Sequence, residues 1–357
     1  MVRVEMKIST QFWAGKRVLL TGHTGFKGAW LALWLHRLGA HVTGISLAPI
    51  TTPNLFSLAD IGSTIESYFC DIRDAEKFNN LIQKNQPDIV FHLAAQALVR
   101  ESYANPVATF SSNVMGTVNL LDSLRTVKSV KVAVMITTDK VYQNKEWCWP
   151  YRETDELGGY DPYSASKAAS EIVINSYRDA FLKEQGIVIA SARAGNVMGG
   201  GDWSEDRLIS DIVNAWQADE LVTIRRPNAI RPWQHVLEPL SSYLKLAEQL
   251  WSKPHLAGAY NFGPDANEAA TVKEVIDLAK ASFTRGKVYF EEGTEGPHEA
   301  GLLTLDTSKA RFTLAIKPRW NLKETVSRTM SWYEAQHQGQ NARKLCESDI
   351  IAFEELS

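Results

Sequence analysis

Cysteine is scarce in this 357-residue chain: Cys70, Cys148 and Cys346 are odd in number and far apart. That pattern fits neither a disulfide framework nor a paired zinc site, and it points to a reducing compartment. A run of one charge sign is also missing. The 38 basic and 41 acidic residues are intermixed, with a formal net charge of −3, so there is no basic track for a phosphate backbone or an anionic membrane. Nucleic acid is not an expected partner. No apolar stretch reaches membrane-spanning length, and the opening "MVRVEMKISTQFWAGKR" lacks the continuous apolar segment of a secretory signal. A soluble cytoplasmic protein is expected. Clusters of His, Cys and Asp at metal-ligand spacing are absent, as are the G-x-S-x-G elbow of a serine hydrolase and any internal repeat.

The length exceeds what one core usually supports, so a large domain with a smaller one is the natural division. From Arg17 to about Ala194 short β-branched runs alternate with longer helical patterns, the rhythm of a parallel sheet with crossover helices. Strands are predicted at "RVLLT", "HVTGIS", "SYFC", "DIVFHL", "VAVMIT" and "IVIASAR", and helices near 29–38, 75–84, 107–126 and 163–183. Beyond Gly195 the rhythm loosens through the glycine-rich "NVMGGGDW", and an amphipathic helix near 322–336 precedes a polar tail. Residues 1–195 are thus expected to form the large domain, with about 14 peripheral residues at the start. Residues 196–357 are expected to be mainly a smaller α/β substrate lobe, with some segments returning to the large domain.

"VLLTGHTGFKGAW" places Gly22, Gly25 and Gly28 directly after the first strand and at the mouth of a nearly all-apolar helix. Small residues let the backbone approach a pyrophosphate, and the unpaired N–H groups and positive end of the helix attract its charge. A dinucleotide is expected over Thr24–Phe26. The spacing G-x-x-G-x-x-G resembles the short-chain dehydrogenase/reductase superfamily in its extended form, which implies a Rossmann-type, doubly wound parallel α/β sheet. The second strand ends "GISLAP", with no acid for the adenosine ribose and no arginine for a 2′-phosphate, which favours NAD over NADP. The resemblance also implies that Asp71 and Ile72 of "CDIRD" lie against the adenine, and that Leu93, Ala94, Ala95 and Gln96 line the cofactor.

In "GGYDPYSASKAASE" Asp161 suits an N-cap and Pro162 the first helical position, so Tyr163 falls in the first turn with Lys167 on the same face. A tyrosine there, beside an ammonium, is expected to have its pKa drawn down toward the working range. It then takes a hydroxyl proton while hydride leaves the same carbon. In the superfamily a Ser or Thr at the end of the preceding strand hydrogen-bonds the same oxygen, a position Thr138 matches. Thr137 ends the strand or touches the cofactor.

Asp139 and Lys140 follow Thr138, and two further proton-transfer groups imply a second reaction. Over nearly its whole length the chain is similar to the nucleoside diphosphate-hexose 4,6-dehydratases, which carry Thr-Asp-Glu where Thr138-Asp139-Lys140 stands. "TTDKVYQN", "AAQALVRESYANP", "RAGNVMGGGDW" and "IRPWQHVLEPL" look like the branch acting on CDP-glucose. The resemblance implies oxidation at C4 by Tyr163 and NAD, elimination of water across C5–C6, and return of hydride to C6. By the family pattern Asp139 is the general acid, a task for a buried carboxyl. Lys140 replaces the family's glutamate base and must be neutral to act, which burial and the charge of Lys167 would favour; kept charged, it would instead stabilise an enolate.

A nucleoside diphosphate sugar brings two phosphates, so cations are expected around it, arginine's fork suiting phosphate oxygens. By match to family motifs Asn196 and Arg231 contact the pyrophosphate, with Arg207 a further candidate. Trp203 stacks on the base, walls the pocket or belongs to the core. His235 orients substrate groups, Arg100 faces the sugar, and Arg225 and Arg226 read as surface charges. The family also implies a dimer contact through the helices at 107–126 and 163–183. Rival readings are another nucleotide-sugar dehydratase, a 4-epimerase, or a catalytically silent NAD-binding regulator.

Overall fold

The computed structural model describes residues 7–265, 268–282, 286–291 and 301–356. The first six residues, part of the stretch expected to be peripheral, lie outside the described residues. Within that stretch Ser9 caps a short helix, Thr10–Trp13, and Trp13 is fully buried with its indole N–H donating to Glu248 at 2.9 Å.

The central sheet has seven strands: β1 (Arg17–Thr21), β2 (His41–Ser46), β3 (Glu66–Phe69), β4 (Ile89–His92), β5 (Val132–Ile136), β6 (Val188–Ala194) and β7 (Gly258–Phe262). All pair in parallel, in the order β7-β6-β5-β4-β1-β2-β3. This is the expected doubly wound α/β sheet. Its six predicted strands lie where the alternation placed them, and the seventh arrives from beyond residue 195. The chain order reverses between β1 and β4, which opens a crevice past their carboxyl ends.

Helices cover both faces, so the inner strands β4 and β5 are buried at every position, whereas the edge strand β3 is at most partly buried. Alternate residues feed opposite layers: Val18 and Leu20 of β1 join one apolar cluster, while Leu19 joins the other with Ile45, Phe78 and Leu120. Helix α1 (Phe26–Arg37) is buried at every position from Gly28 to Leu35 because it is enclosed on several sides. It is followed by α2 (Ala75–Asn85), capped by Asp74. The rod expected at 107–126 runs through Pro106–Phe110, a π segment Ser111–Met115 and Gly116–Leu124. Helix α3 (Pro162–Tyr177) likewise continues through a π segment, Arg178–Leu182.

Downstream of residue 195, α4 (Leu237–Ser252) packs against β5 and β6, so this segment and β7 both return to the large sheet. Helix α5 (Leu322–His337) matches the predicted amphipathic helix. The polar tail expected after it is a correction: Asn341 caps a helix, α6 (Ala342–Glu355), whose Cys346, Ile350 and Phe353 are fully buried. Spacings of four and three put those side chains on one stripe, and Glu354 accepts a hydrogen bond from the Trp34 indole at 2.9 Å.

Candidate functional site

The glycine loop lies where the crevice opens. Gly22 has a positive φ of 79°, and a Cβ there would stand 2.7 Å from the Ala94 backbone nitrogen. A Cβ on Gly28 would stand 2.7 Å from the carbonyl carbon of Gly22, so helix and strand touch through these two glycines. Gly25 is the N-cap of α1, and no side chain caps that helix. The N–H groups from Phe26 onward are therefore left for an anion. These residues suit a dinucleotide pyrophosphate.

Thr24 is held back, its hydroxyl donating to the Leu47 carbonyl at 2.9 Å and pairing with Ser46 at 2.8 Å. Asp71 is paired with Arg73 at 2.6 Å, and that guanidinium holds its carboxyl below the ordinary range against the effect of partial burial. Ile72 is buried in the layer beneath β1. Beyond β4, the Leu93 N–H donates to the Thr21 carbonyl and the Ala94 N–H donates to the Thr21 hydroxyl oxygen, each at 3.2 Å. Ala95 follows half-buried, and the Gln96 side chain donates to Leu98 and Thr109.

Strand β5 delivers the next group. Past Ile136 the chain keeps one more bond to β6, Thr137 N–H to Ala192 at 3.0 Å, and then turns into a short 3-10 helix, Asp139–Val141, capped by Thr138. Thr138, Asp139, Lys140 and Tyr163 all line a cleft of about 600 Å³. Asp139 is buried, with one oxygen accepting the Thr138 hydroxyl at 2.9 Å and the other, Oδ2, without a hydrogen-bond partner. Burial lowers the pKa of Lys140, aided by Arg231 and Arg207 and opposed by Asp139 and Asp161. The assisting cations are these two arginines rather than the expected Lys167.

Asp161 caps α3 by accepting the N–H and hydroxyl of Ser164, with Pro162 in the first turn, as the motif requires. Tyr163 departs from expectation: burial raises its pKa, and hydrogen bonding from Thr138 and the charge of Arg207 only partly oppose this. Lys167 does not supply the missing stabilisation. Its ammonium donates to the Ile136 carbonyl at 3.2 Å, and burial lowers its own pKa to about 8. Desolvation of the phenol outweighs the hydrogen bond and the charge that oppose it.

Several groups here escaped the sequence reading. Lys27 donates to the Tyr243 hydroxyl at 3.2 Å, and burial, with Arg207 and Lys167, lowers its pKa to about 7. The only signal was an ammonium in the middle of a glycine motif. Thr137 neither touches the cleft nor simply ends the strand, since its hydroxyl donates to the fully buried Glu171 at 2.6 Å. Glu171 also takes a bidentate pair of bonds from Arg193, each 3.0 Å, and one from Ser191. Burial pushes its carboxyl up, and these donors more than offset that. Arg193 extends to the Tyr142 hydroxyl, which in turn bonds Asn261 of β7. The turn bearing Thr138–Lys140 is thus tied to α3, β6 and β7.

Asn196, Arg207 and Arg231 of the smaller lobe line the same cleft, and Arg100, in the helix Val99–Ala104 of the large domain, faces them across it. Arg207 donates to the Ala97 carbonyl at 3.1 Å, Arg100 pairs with Asp206 at 2.7 Å, and Arg231 donates to the Ile230 carbonyl at 2.9 Å. Arg225 and Arg226, read as surface charges, are cleft residues as well. Two expected site residues are not. Trp203 is buried in the core, edge-on to Trp332 and Tyr333. His235 is fully buried between Trp30 and Trp320, where burial, with the charge of Arg328, lowers its pKa to about 3. Both belong to an aromatic cluster that a motif match cannot distinguish from a pocket wall.

Comparison with known proteins agrees with this architecture. The CDP-glucose 4,6-dehydratase of Salmonella typhimurium is 47% identical over 340 residues, 94% of this chain and 95% of that protein. The UDP-glucose 4-epimerase of Mycoplasma genitalium is 27% identical over 287 residues, 76% and 82% of the two chains. Among solved structures, the UDP-glucose-4-epimerase from Stenotrophomonas maltophila with bound NAD and formylated UDP-arabinopyranose has a TM-score of 0.77 at 23% identity, covering 91% of this chain and all of the other. That likeness is one of fold. The family model described as GDP-mannose 4,6 dehydratase matches residues 19–329, and with this match across the sheet, the turn after β5 and most of the smaller lobe, the chain belongs to that dehydratase family.

Proposed function

We propose that the protein dehydrates CDP-glucose to CDP-4-keto-6-deoxy-glucose, with NAD held at the glycine loop. The observation that carries this is the convergence of Thr138, Asp139, Lys140 and Tyr163 on one cleft. When bound, NAD supplies the hydride acceptor for C4 and the hydride donor for C6. Tyr163 takes the proton of the C4 hydroxyl in its phenolate form, which burial opposes and which the hydrogen bond with Thr138 and the charge of Arg207 favour; Thr138 also hydrogen-bonds the C4 oxygen, and Lys167 steadies the end of β5 through the Ile136 carbonyl. Lys140, favoured as a neutral amine by burial, removes the C5 proton made acidic by the ketone, and Asp139 delivers a proton to the departing C6 hydroxyl; as hydride reaches C6 the Lys140 ammonium returns its proton to C5, and the proton Tyr163 took makes good the one Asp139 gave. Arg231, Arg207 and Asn196 hold the pyrophosphate, and Arg100 faces the sugar. In this reading residues 1–195 carry the cofactor and residues from 196 onward most of the substrate wall.

The choice of cytidine is supported by 47% identity to the CDP-glucose enzyme, against 25% to a dTDP-glucose 4,6-dehydratase of Xanthomonas campestris. The product is of the class that feeds deoxysugars of surface polysaccharides such as O-antigen, made in the cytoplasm. A second copy is the expected partner: Val107, Phe110, Met115, Ile172 and Phe181 are exposed apolar side chains on the two long helical rods, and pairing them would remove them from water. Assay of CDP-, dTDP-, GDP- and UDP-glucose tests the substrate, with CDP-glucose expected to be turned over fastest. C4-deuterated substrate is expected to deliver its label to C6. Label remaining at C4 would mean epimerase chemistry, and no turnover of any nucleotide sugar would mean a regulator.

A further inference from the structure

Gly195 directly follows β6, and its carbonyl accepts a hydrogen bond from the Gln234 side chain at 3.2 Å. Its backbone is not in the positive-φ region, unlike that of Gly22 or Gly201. An L side chain is therefore conformationally acceptable there, and the absence of one has a spatial reason. A Cβ built on Gly195 would overlap Asp139 Oδ2, stand 2.5 Å from its Cγ and 3.1 Å from its Cβ. All three atoms belong to one short, buried side chain with little room to turn away.

We propose that Gly195 is the positioning residue for the Asp139 carboxyl: the vacancy at its α-carbon is the seat of Oδ2, held at the wall of the cleft. Oδ1 is engaged by the Thr138 hydroxyl at 2.9 Å, whereas Oδ2 is buried and has no hydrogen-bond partner. Oδ2 is thus the oxygen left to serve the substrate, and its place is set on one side by the hydroxyl of Thr138 and on the other by the bare backbone of Gly195. Filling that vacancy pivots the carboxyl about Oδ1 and moves Oδ2 by about an ångström, a displacement that costs about a hundredfold when a proton must be transferred. The inference rests on the reading of Asp139 as the general acid.

The test is a double-mutant cycle of Gly195→Ala and Asp139→Ala in the full chain with NAD, read in turnover and in thermal midpoint. Gly195→Ala is expected to lower kcat for dehydration of CDP-glucose about tenfold to a hundredfold, leave KM within about twofold, and still reduce NAD on mixing with substrate. In the Asp139→Ala background the same change is expected to cost less than about twofold. The thermal midpoint is expected to fall in Gly195→Ala and to recover in the double variant, where the clash is gone. Wild-type turnover in Gly195→Ala, equal losses in both backgrounds, or no recovery of the midpoint would overturn the inference. Full turnover in Asp139→Ala would instead overturn the acid assignment, leaving the midpoint cycle to decide the packing. Should Gly195→Ala fail to fold, folding of the double variant supports the seat, and its failure refutes it.

Discussion

At the residue scale, the turn after β5 presents an acid and an amine where an ordinary dehydrogenase needs neither. Burial disfavours the charged form of Lys140, and Arg231 and Arg207 add to that, which suits it to accept a proton. Lys140→Met is expected to lower dehydration at least about a hundredfold while NADH still forms on mixing with CDP-glucose, measured by absorbance against product analysis. Full activity in that variant would remove Lys140 from the mechanism. Motif matching located these residues but misjudged two of their neighbours. Trp203 and His235 stand in matching segments, yet only their packing against Trp332, Tyr333, Trp30 and Trp320 reveals them as core. Arg225 is exposed, as read, and with half-buried Arg226 also lines the cleft, a placement that has no local signature in the chain.

At the element scale, the close contact of α1 with β1 makes Gly28 the most exacting position. Its neighbours are backbone atoms, the Gly22 carbonyl carbon at 2.7 Å and the His23 Cα at 2.8 Å from an added Cβ, so neither can swing aside. Gly28→Ala is expected to destabilise the fold by about 1–3 kcal/mol and to weaken NAD binding, both measurable by thermal denaturation with and without NAD. The second exacting element is α6. Truncation after Gly339 would expose the surface of α1 and α5 on which Cys346, Ile350 and Phe353 are buried, with Trp34 and Trp320 bared, and loss of a cooperative thermal transition is expected. Strands were legible because β-branched runs bounded by turns repeat a simple period. Helix α6 was not, since its three buried residues are scattered among charges in "ARKLCESDIIAFEE" and its apolar stripe acquires meaning only with α1 beside it.

At the scale of the whole molecule, three buried histidines tie stability to pH. Burial lowers the pKa of His23 to about 4, and of His92 and His235 to about 3. Below about 6.5 the unfolded chain binds protons that the folded histidines refuse until those lower values, so these three contribute a loss of stability as pH drops through this window. Glu238, Asp211 and Asp349, whose carboxyls burial raises to about 7, 6 and 6, act in the opposite direction, so the histidine contribution is read by difference: between pH 6.5 and 4, His235→Phe is expected to change the slope of urea stability against pH by up to about 1.4 kcal/mol per pH unit, toward greater stability in acid. An unchanged slope would mean that His235 is not held neutral. The proposed pairing with a second copy belongs to this scale too: Val107→Glu with Ile172→Glu is expected to give a monomer by sedimentation, at unchanged thermal midpoint if those exposed positions serve only the second copy.

The sequence by itself determined the parallel α/β sheet, the glycine loop and the Thr-Asp-Lys and Tyr-x-x-x-Lys groups, because each depends on residues near one another in the chain: a strand period, a cap, a turn of helix. Tertiary structure alone decided which arginines face the cleft, that Glu171 and Arg193 brace the turn after β5, and that the polar tail is a buried helix. It also decided that the phenol of Tyr163 is raised rather than lowered, and that bare backbone at Gly195 seats the Asp139 carboxyl. Those outcomes follow from burial and from neighbours remote in sequence, and desolvation and steric exclusion act between surfaces that exist only once the chain has folded.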